Sequence, residues 1–408
     1  MQNRKCHSKK GLKIKLRSDV DFILFGISNQ TSQLCFHNNI NFCKTIYKFF
    51  VISYNEDMEN MSLNEKINEL VVKMAKEPNV IENYHQLSEL YMMQKDYDKV
   101  MSVLDSLLAI KPDDVQALVG MGTMWFYERD FRKSLSYYNK ALEINPKNFL
   151  IYYNIGNVFA EWKNFSKALF YYNRAIDLNS SNPEIYNAIA LLYQDIEDYV
   201  EAKAYYEKAL SLDPENVNAL IDMGNVCFKL FDYKTALKLF KKVFVLNPDN
   251  ELVAVCIANA LTLMKEEKEA YLYYDKALSM TDDKYRIFIS YAISLTEFKK
   301  YNEAEAMYKK AIEFAPKQPN AYILLANLYS TQNRVKEAIE LYRKALRVEP
   351  NNAETYMLLG NAHYLDKDIE QAISSYRASI GIAPDNDEYR LIYSQVVDDY
   401  VKSARGEV

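Results

Sequence analysis

Pro78, Pro112, Pro146, Pro214, Pro248, Pro316, Pro350 and Pro384 fall on one 34-residue grid, whose two empty points are Ser180 and Asp282. A proline ends or kinks the helix it meets. A fixed recurrence of this length therefore signals one supersecondary unit stacked many times. A chain of 408 residues would ordinarily suggest two or three domains. A repeat array escapes that expectation because it grows by adding units rather than cores. The grid divides the sequence into nine units: 81–114, 115–148, 149–182, 183–216, 217–250, 251–284, 285–318, 319–352 and 353–386.

Within each unit the same positions recur. The eighth residue is always small: Ser88, Gly122, Gly156, Ala190, Gly224, Ala258, Ala292, Ala326 and Gly360. The twentieth is alanine in Ala168, Ala202, Ala236, Ala270, Ala304, Ala338 and Ala372. A small residue recurring inside a helix implies that another helix passes close to it. A larger side chain there would overpack the contact, at roughly 1–3 kcal/mol per site. The twenty-fourth residue is aromatic in Tyr138, Tyr172, Tyr206, Phe240, Tyr274, Tyr308, Tyr342 and Tyr376. Burying each ring is worth about 1.5–3 kcal/mol before entropy is subtracted. Asp114, Asn148, Asn182, Asn216, Asn250, Asn352 and Asn386 close their units and are expected to cap the following helix. Pro183 and Pro319 stand next, at the first helical position, where a missing N–H costs nothing. Each unit thus reads as two helices of about 12–14 residues, roughly 20 Å long.

These residues resemble the tetratricopeptide repeat (TPR) family, most clearly in IYYNIGNVFAEWKNFSKALFYYNRAIDLN at 151–179 and AYILLANLYSTQNRVKEAIELYRKALRVEP at 321–350. The resemblance covers 81–386. It implies an all-α, right-handed superhelical solenoid of about nine helix-turn-helix repeats with terminal capping helices. Departures are local. Val100 and Leu107 stand where small residues are usual, Glu267, His363 and Ile369 where aromatics are usual. Looser packing and a bend are expected around 251–284, which also lacks its proline.

At the ends, Ser62 and Glu65 form a capping-box pattern, and Leu63, Ile67, Leu70, Val71 and Met74 follow at helical spacing. Residues 62–80 are read as an N-terminal capping helix and its connection. Residues 387–408 are read as a C-terminal capping helix and tail. Residues 1–57 lie off the grid and contain three of the five cysteines. They read as a mis-assigned start, with translation beginning at Met58 or Met61, or as a disordered tail, or as a membrane-targeting segment.

The resemblance also implies that the first helix of each unit lines an inner, concave face. Asn157, Asn225, Asn259, Asn327 and Asn361 recur at the ninth position there, with Asn154 one turn before Asn157. A carboxamide carries both a donor and an acceptor, so a row of them can hold a peptide backbone of any sequence. The row is similar to the asparagine ladder of the superhelix in O-linked N-acetylglucosamine transferases. Tyr127, Tyr153, Phe228 and Tyr364, with Phe126, are candidate aromatic anchors on the same face. Some TPR proteins clamp a C-terminal carboxylate with Lys, Asn and Arg. The corresponding positions here hold His85, Glu89, Gln116, Glu184 and Asp222, so no such clamp assembles.

Composition narrows the function classes. The net charge is -5, and the first 57 residues contain nine Lys/Arg against four Asp/Glu, which leaves the remainder at -10. A nucleic-acid binder would show the opposite balance. No CxxC pair occurs and the cysteine count is odd, as expected of a reducing, cytoplasmic setting. No apolar run approaches the roughly 18–20 residues of a membrane span. The sequence has no Walker loop, GxGxxG, HExxH or GxSxG, and its histidines do not cluster, so no catalytic residue, metal site or cofactor is expected. Two readings follow. One is a non-enzymatic scaffold that binds a protein or extended peptide in its groove, without nucleic acid or membrane. The other is a non-catalytic accessory of an enzyme system such as a TPR-linked glycosyltransferase. Self-association through the end helices is compatible with both. If translation begins at Met58 or Met61, mass spectrometry of the endogenous protein will return no peptide from residues 1–50; recovery of such peptides contradicts that start.

Overall fold

The computed structural model describes residues 62–405. The reading of residues 1–57 therefore lies outside the described part. Among the described residues there are twenty helices and no strand. In chain order α1 is Leu63–Lys76, α2 Ile81–Met93, α3 Tyr97–Ile110, α4 Val115–Tyr127, α5 Phe131–Ile144, α6 Phe149–Glu161 and α7 Phe165–Leu178. Next come α8 Pro183–Asp195, α9 Tyr199–Leu212, α10 Val217–Lys229, α11 Tyr233–Leu246, α12 Glu251–Leu263, α13 Glu267–Met280 and α14 Tyr285–Glu297. The last six are α15 Tyr301–Phe314, α16 Pro319–Thr331, α17 Val335–Val348, α18 Ala353–Leu365, α19 Ile369–Ile382 and α20 Asp387–Ala404. The chain divides into two compact units, 62–239 and 240–405.

From α2 to α19 the helices alternate between 13 and 14 residues, and three residues separate the members of each pair. Asp114, Asn148, Asn182 and Asn216 cap the next helix in the first unit, accepting from Ala117, Leu150, Glu184 and Ala219 N–H respectively. Asn250, Asn352 and Asn386 do the same for Val253, Thr355 and Tyr389. Each cap is worth about 1 kcal/mol. Before α1, Ser62 and Glu65 complete the expected capping box. Ile67 and Leu70 of α1 pack with Tyr84, Leu87 and Leu90, whereas Val71 is 44% exposed rather than part of that seam.

Every three-residue turn within a pair closes in the same way. In the first, Asp96 N–H reaches back to Tyr91 O and Lys95 N–H to Met92 O, the pattern of a Schellman motif. The residue between them must take positive φ. Lys95, Arg129, Lys163, Glu197, Phe231, Lys265, Lys299, Asn333 and Lys367 all do so, and none is glycine. Between pairs, tyrosine hydroxyls lock the connecting loops: Tyr84 donates to Pro78 O, Tyr152 to Pro146 O, Tyr186 to Ser180 O and Tyr322 to Pro316 O.

The ring at the twenty-fourth position lies on the small residue at the eighth in the pairs with Gly122 under Tyr138, Gly156 under Tyr172 and Gly360 under Tyr376, whereas the first pair has Leu104 in place of the ring. A Cβ added to Gly156 would come 2.5 Å from the Tyr172 ring, and one added to Gly360 the same distance from Tyr376. The twentieth position is close by, since Ser134 Oγ donates to Gly122 O at 2.7 Å. The looser packing expected around 251–284 is not found. Val253 through Thr262 are all buried, because Ala254, Ala258 and Ala260 permit close approach and Thr262 and Ser294 share a buried hydroxyl contact of 2.6 Å.

Two stability changes follow. Gly360→Ala is expected to cost about 1 kcal/mol, because Ala326 and Ala258 already coexist with tyrosines, and Gly360→Val about 3 kcal/mol. Lys299→Gly is expected to add about 1 kcal/mol by relieving the left-handed backbone. Thermal melts of the three variants check both signs.

Candidate peptide-binding surface

The residue after the small one carries the polar part of the same contact. While the Tyr172 ring covers Gly156, its hydroxyl donates to Asn157 Oδ1 at 2.7 Å. Tyr376 covers Gly360 and donates to Asn361 Oδ1 at 2.8 Å. Tyr274 donates to Asn259 Oδ1 at 2.6 Å and Tyr342 to Asn327 Oδ1 at 2.5 Å. Each pair is separated by 15 residues. Tyr138 keeps the arrangement with Thr123, at 2.9 Å between the two oxygens. Burial pushes the Tyr172, Tyr274, Tyr342 and Tyr376 phenols far above their ordinary range, so each remains a hydrogen donor.

The asparagine row is therefore not the free, two-way carboxamide ladder expected from the sequence. Four of its five oxygens, on Asn157, Asn259, Asn327 and Asn361, are spent inside the hairpins, while Asn225 stands 15 residues before Phe240, which has no hydroxyl. Asn157 is 6% exposed and Asn259 0%, while Asn327 and Asn361 are half-buried. The amide nitrogens are buried as well: Nδ2 of Asn259 and Asn327 is out of reach of solvent, and the Asn157 amide faces the Tyr153 hydroxyl. The tyrosines were read in the sequence as space-filling rings. The recurring 15-residue separation from asparagine was the signal of their second role.

The other candidates fall on one unit or the other. In 62–239, Asn154, Asn225 and Phe228 are buried, with the Phe228 ring edge-on to Tyr233 at 5.1 Å. Tyr153 is buried 5.9 Å from the Tyr172 ring, and half-buried Tyr127 stacks on Tyr97 at 5.7 Å, with Phe126 beside it. In 240–405, Tyr364 is half-buried against the cluster of Met357, Ala372 and Tyr376. These rings pack on neighbouring helices. The acidic positions are in part structural. His85 Nε2 lies 3.3 Å from Asp114, whose other oxygen meets Lys111 at 3.2 Å. Glu89 differs: burial, and then the Glu82 carboxylate, push its carboxyl up to about 7.

Comparison with known proteins places the chain. Tetratricopeptide repeat family models match residues 149–182, 183–216, 295–342 and 323–387, and a TPR repeat model matches 130–161. The chain belongs to the tetratricopeptide repeat family. No curated protein matches the sequence. Among solved structures, PilF of Pseudomonas aeruginosa is 21% identical over 50% of this chain and 92% of its own, with a TM-score of 0.42. A structure of the APC/C hetero-tetramer Cut9–Hcn1 is 15% identical, covering 82% of this chain and 67% of that one, with a TM-score of 0.43. A tetratricopeptide repeat protein from Parabacteroides merdae is 18% identical over 65% of this chain and 98% of its own, with a TM-score of 0.42.

Among the described residues no group of three His, Cys, Asp or Glu is placed to hold a metal. Cys227 and Cys256 are buried thiols that burial pushes up to about 11 and about 12. No described helix is long and apolar enough to cross a membrane. Glu89 gives a pH prediction. A carboxyl held above its unfolded value costs stability as pH rises through the interval between them, here from about 4.5 to about 7. Its side chain is half-buried and still touches solvent, so screening reduces the cost to about 1 kcal/mol. Glu89→Gln should raise the unfolding midpoint at pH 8 and leave it unchanged at pH 4.

Proposed function

We propose that this TPR protein is a scaffold that holds an extended segment of a partner protein against its first-of-pair helices. The observation that carries the reading is the succession of repeats that match tetratricopeptide repeat models, since first-of-pair helices stacked side by side present one continuous row of side chains. Within 240–405, half-buried Asn327, Asn361 and Tyr364 lie on such helices and would meet the segment. The helices α1 and α20 would shield the terminal repeats from water, and the cytoplasm is the setting we assign.

The Asn327→Thr, Asn361→Thr, Tyr364→Ala triple variant tests this. Threonine keeps a partner for the tyrosine, as Thr123 does for Tyr138. Removing two amides and one aromatic contact should lower partner recovery in affinity purification at least about tenfold. Circular dichroism should not change. Undiminished recovery removes the reading.

A further inference from the structure

We propose that the within-pair turns of three successive repeats, at Trp162, Ile196 and Phe231, form a docking edge for a basic amphipathic segment of a partner protein. All three lie in the unit 62–239, and the edge is separate from the first-of-pair face considered above. In the two preceding pairs Gln94 and Glu128 hold the position of Trp162 and Ile196, and Lys95 and Arg129 hold that of Phe231. The fold therefore does not call for apolar side chains there. Nor are they covered. Trp162 stacks on Phe159 at 6.3 Å and is still 45% exposed; Ile196 is 52% exposed, Phe231 65% and Val200, at the start of α9, 66%. Phe231 also takes a φ of 60°. A bulky residue is strained in left-handed backbone, and a ring so little covered offsets little of that strain. Exposure and strain together mark a surface that a partner covers. Two ion pairs make the three turns neighbours. Lys163 meets Asp195 at 2.9 Å, joining the first turn to the end of α8, and Lys203 meets Asp232 at 3.2 Å, joining α9 to the third turn.

Charge selects the occupant. The seven residues from Asp195 to Glu201 hold four carboxylates and no Lys or Arg. Asp195 is spent on Lys163, and Asp198 caps α9 by accepting from Glu201 N–H. Glu197 and Glu201 are exposed and enter no ion pair among the described residues. Lys229 and Lys234 flank the third turn, so the acidic rim belongs to the middle one. Lysine or arginine set beside apolar residues of the partner would meet it. A second copy of the chain fits poorly, because a two-fold pair centred on the edge would set Glu197 and Glu201 against the same carboxylates.

The test uses the full chain and two synthetic 14-residue amphipathic peptides of the same leucine spacing, one with lysine and one with glutamate on the polar face. Fluorescence anisotropy should show the Leu–Lys peptide binding at least about tenfold more tightly than the Leu–Glu peptide. The Trp162→Gln, Ile196→Gln, Phe231→Asn variant installs residues that Gln94 and Asn333 carry at the same repeat positions, and it leaves the net charge unchanged. It should weaken Leu–Lys binding at least about tenfold, with an equal or higher unfolding midpoint. The Glu197→Lys, Glu201→Lys variant keeps the apolar edge and should bring the two peptides to within about threefold of each other. Undiminished Leu–Lys binding in the first variant means that the peptide reads overall charge alone and overturns the proposal. An unchanged preference in the second overturns it as well. Sedimentation velocity and a chain cut to begin at Met58 separate the other occupants. A wild-type dimer that the first variant dissociates assigns the edge to a second copy. Leu–Lys binding that appears only in the cut chain assigns it to the chain's own basic segment. Either result would also overturn the proposal.

Discussion

One contact recurs along the array: an aromatic ring of the second helix lies on a small residue of the first and, where it is a tyrosine, its hydroxyl finds a partner on that first helix. Gly156 with Asn157 under Tyr172, and Gly360 with Asn361 under Tyr376, are the tightest instances. The ring excludes water from the crossing and contributes about 1.5–3 kcal/mol of apolar burial. The hydroxyl then needs an acceptor, because a buried phenol left unpaired would return much of that gain. Asparagine, threonine or a glutamine one turn further on meets the need. Repeats therefore differ in which acceptor they use, and that difference leaves polar groups on some first helices and not on others.

Stacking adds a second level. Contacts between successive pairs are supplied by aromatic neighbours such as Phe131 with Trp162, 6.0 Å apart, and Phe165 with Tyr193, 5.3 Å apart. Exposed ion pairs also link successive repeats. Lys163 meets Asp195 at 2.9 Å and Arg129 meets Glu161 at 3.7 Å. Such exposed pairs are worth about 0–1 kcal/mol each, so the rings carry most of the cohesion. A more defined network ties α15 to α16 and α17. Glu305 accepts from Tyr329 at 2.9 Å and from Arg334 at 2.6 Å, while Lys309 approaches it at 2.7 Å. Burial opposes ionisation of that carboxyl, but these three donors outweigh it and hold the group at about 2.

Much of this was legible in the sequence, for a definite reason. Close helix crossings tolerate only small side chains, so Gly156, Ala258 and Ala326 announce themselves by recurrence. Caps such as Asn148 and Asn250 are equally visible, because a short polar side chain before an apolar run has one obvious task. The turns were not legible. Positive φ is usually marked by glycine, yet lysine, arginine and even Phe231 occupy it here, since the Schellman bonds fix the backbone whatever the side chain. The asparagine row was legible as a row but not in its environment. Position on the first helix suggested solvated amides, whereas Asn259 is buried and committed to Tyr274. A single register shows where a residue lies along a helix, while its partner 15 residues later decides which of its atoms remain for a ligand. The region around 251–284 failed similarly. A missing proline and a displaced aromatic suggested weakness, but alanines and a threonine–serine contact fill the space.

The central claim is that ring and small residue fit each other. A double-mutant cycle on Gly156→Ala and Tyr172→Leu measures that fit directly. With Tyr172 present, alanine should destabilise by about 1 kcal/mol, because its Cβ meets the ring. With leucine at 172, the same substitution should be neutral or stabilising by up to about 1 kcal/mol, since alanine is the better helix former. An identical cost in both backgrounds would contradict the account.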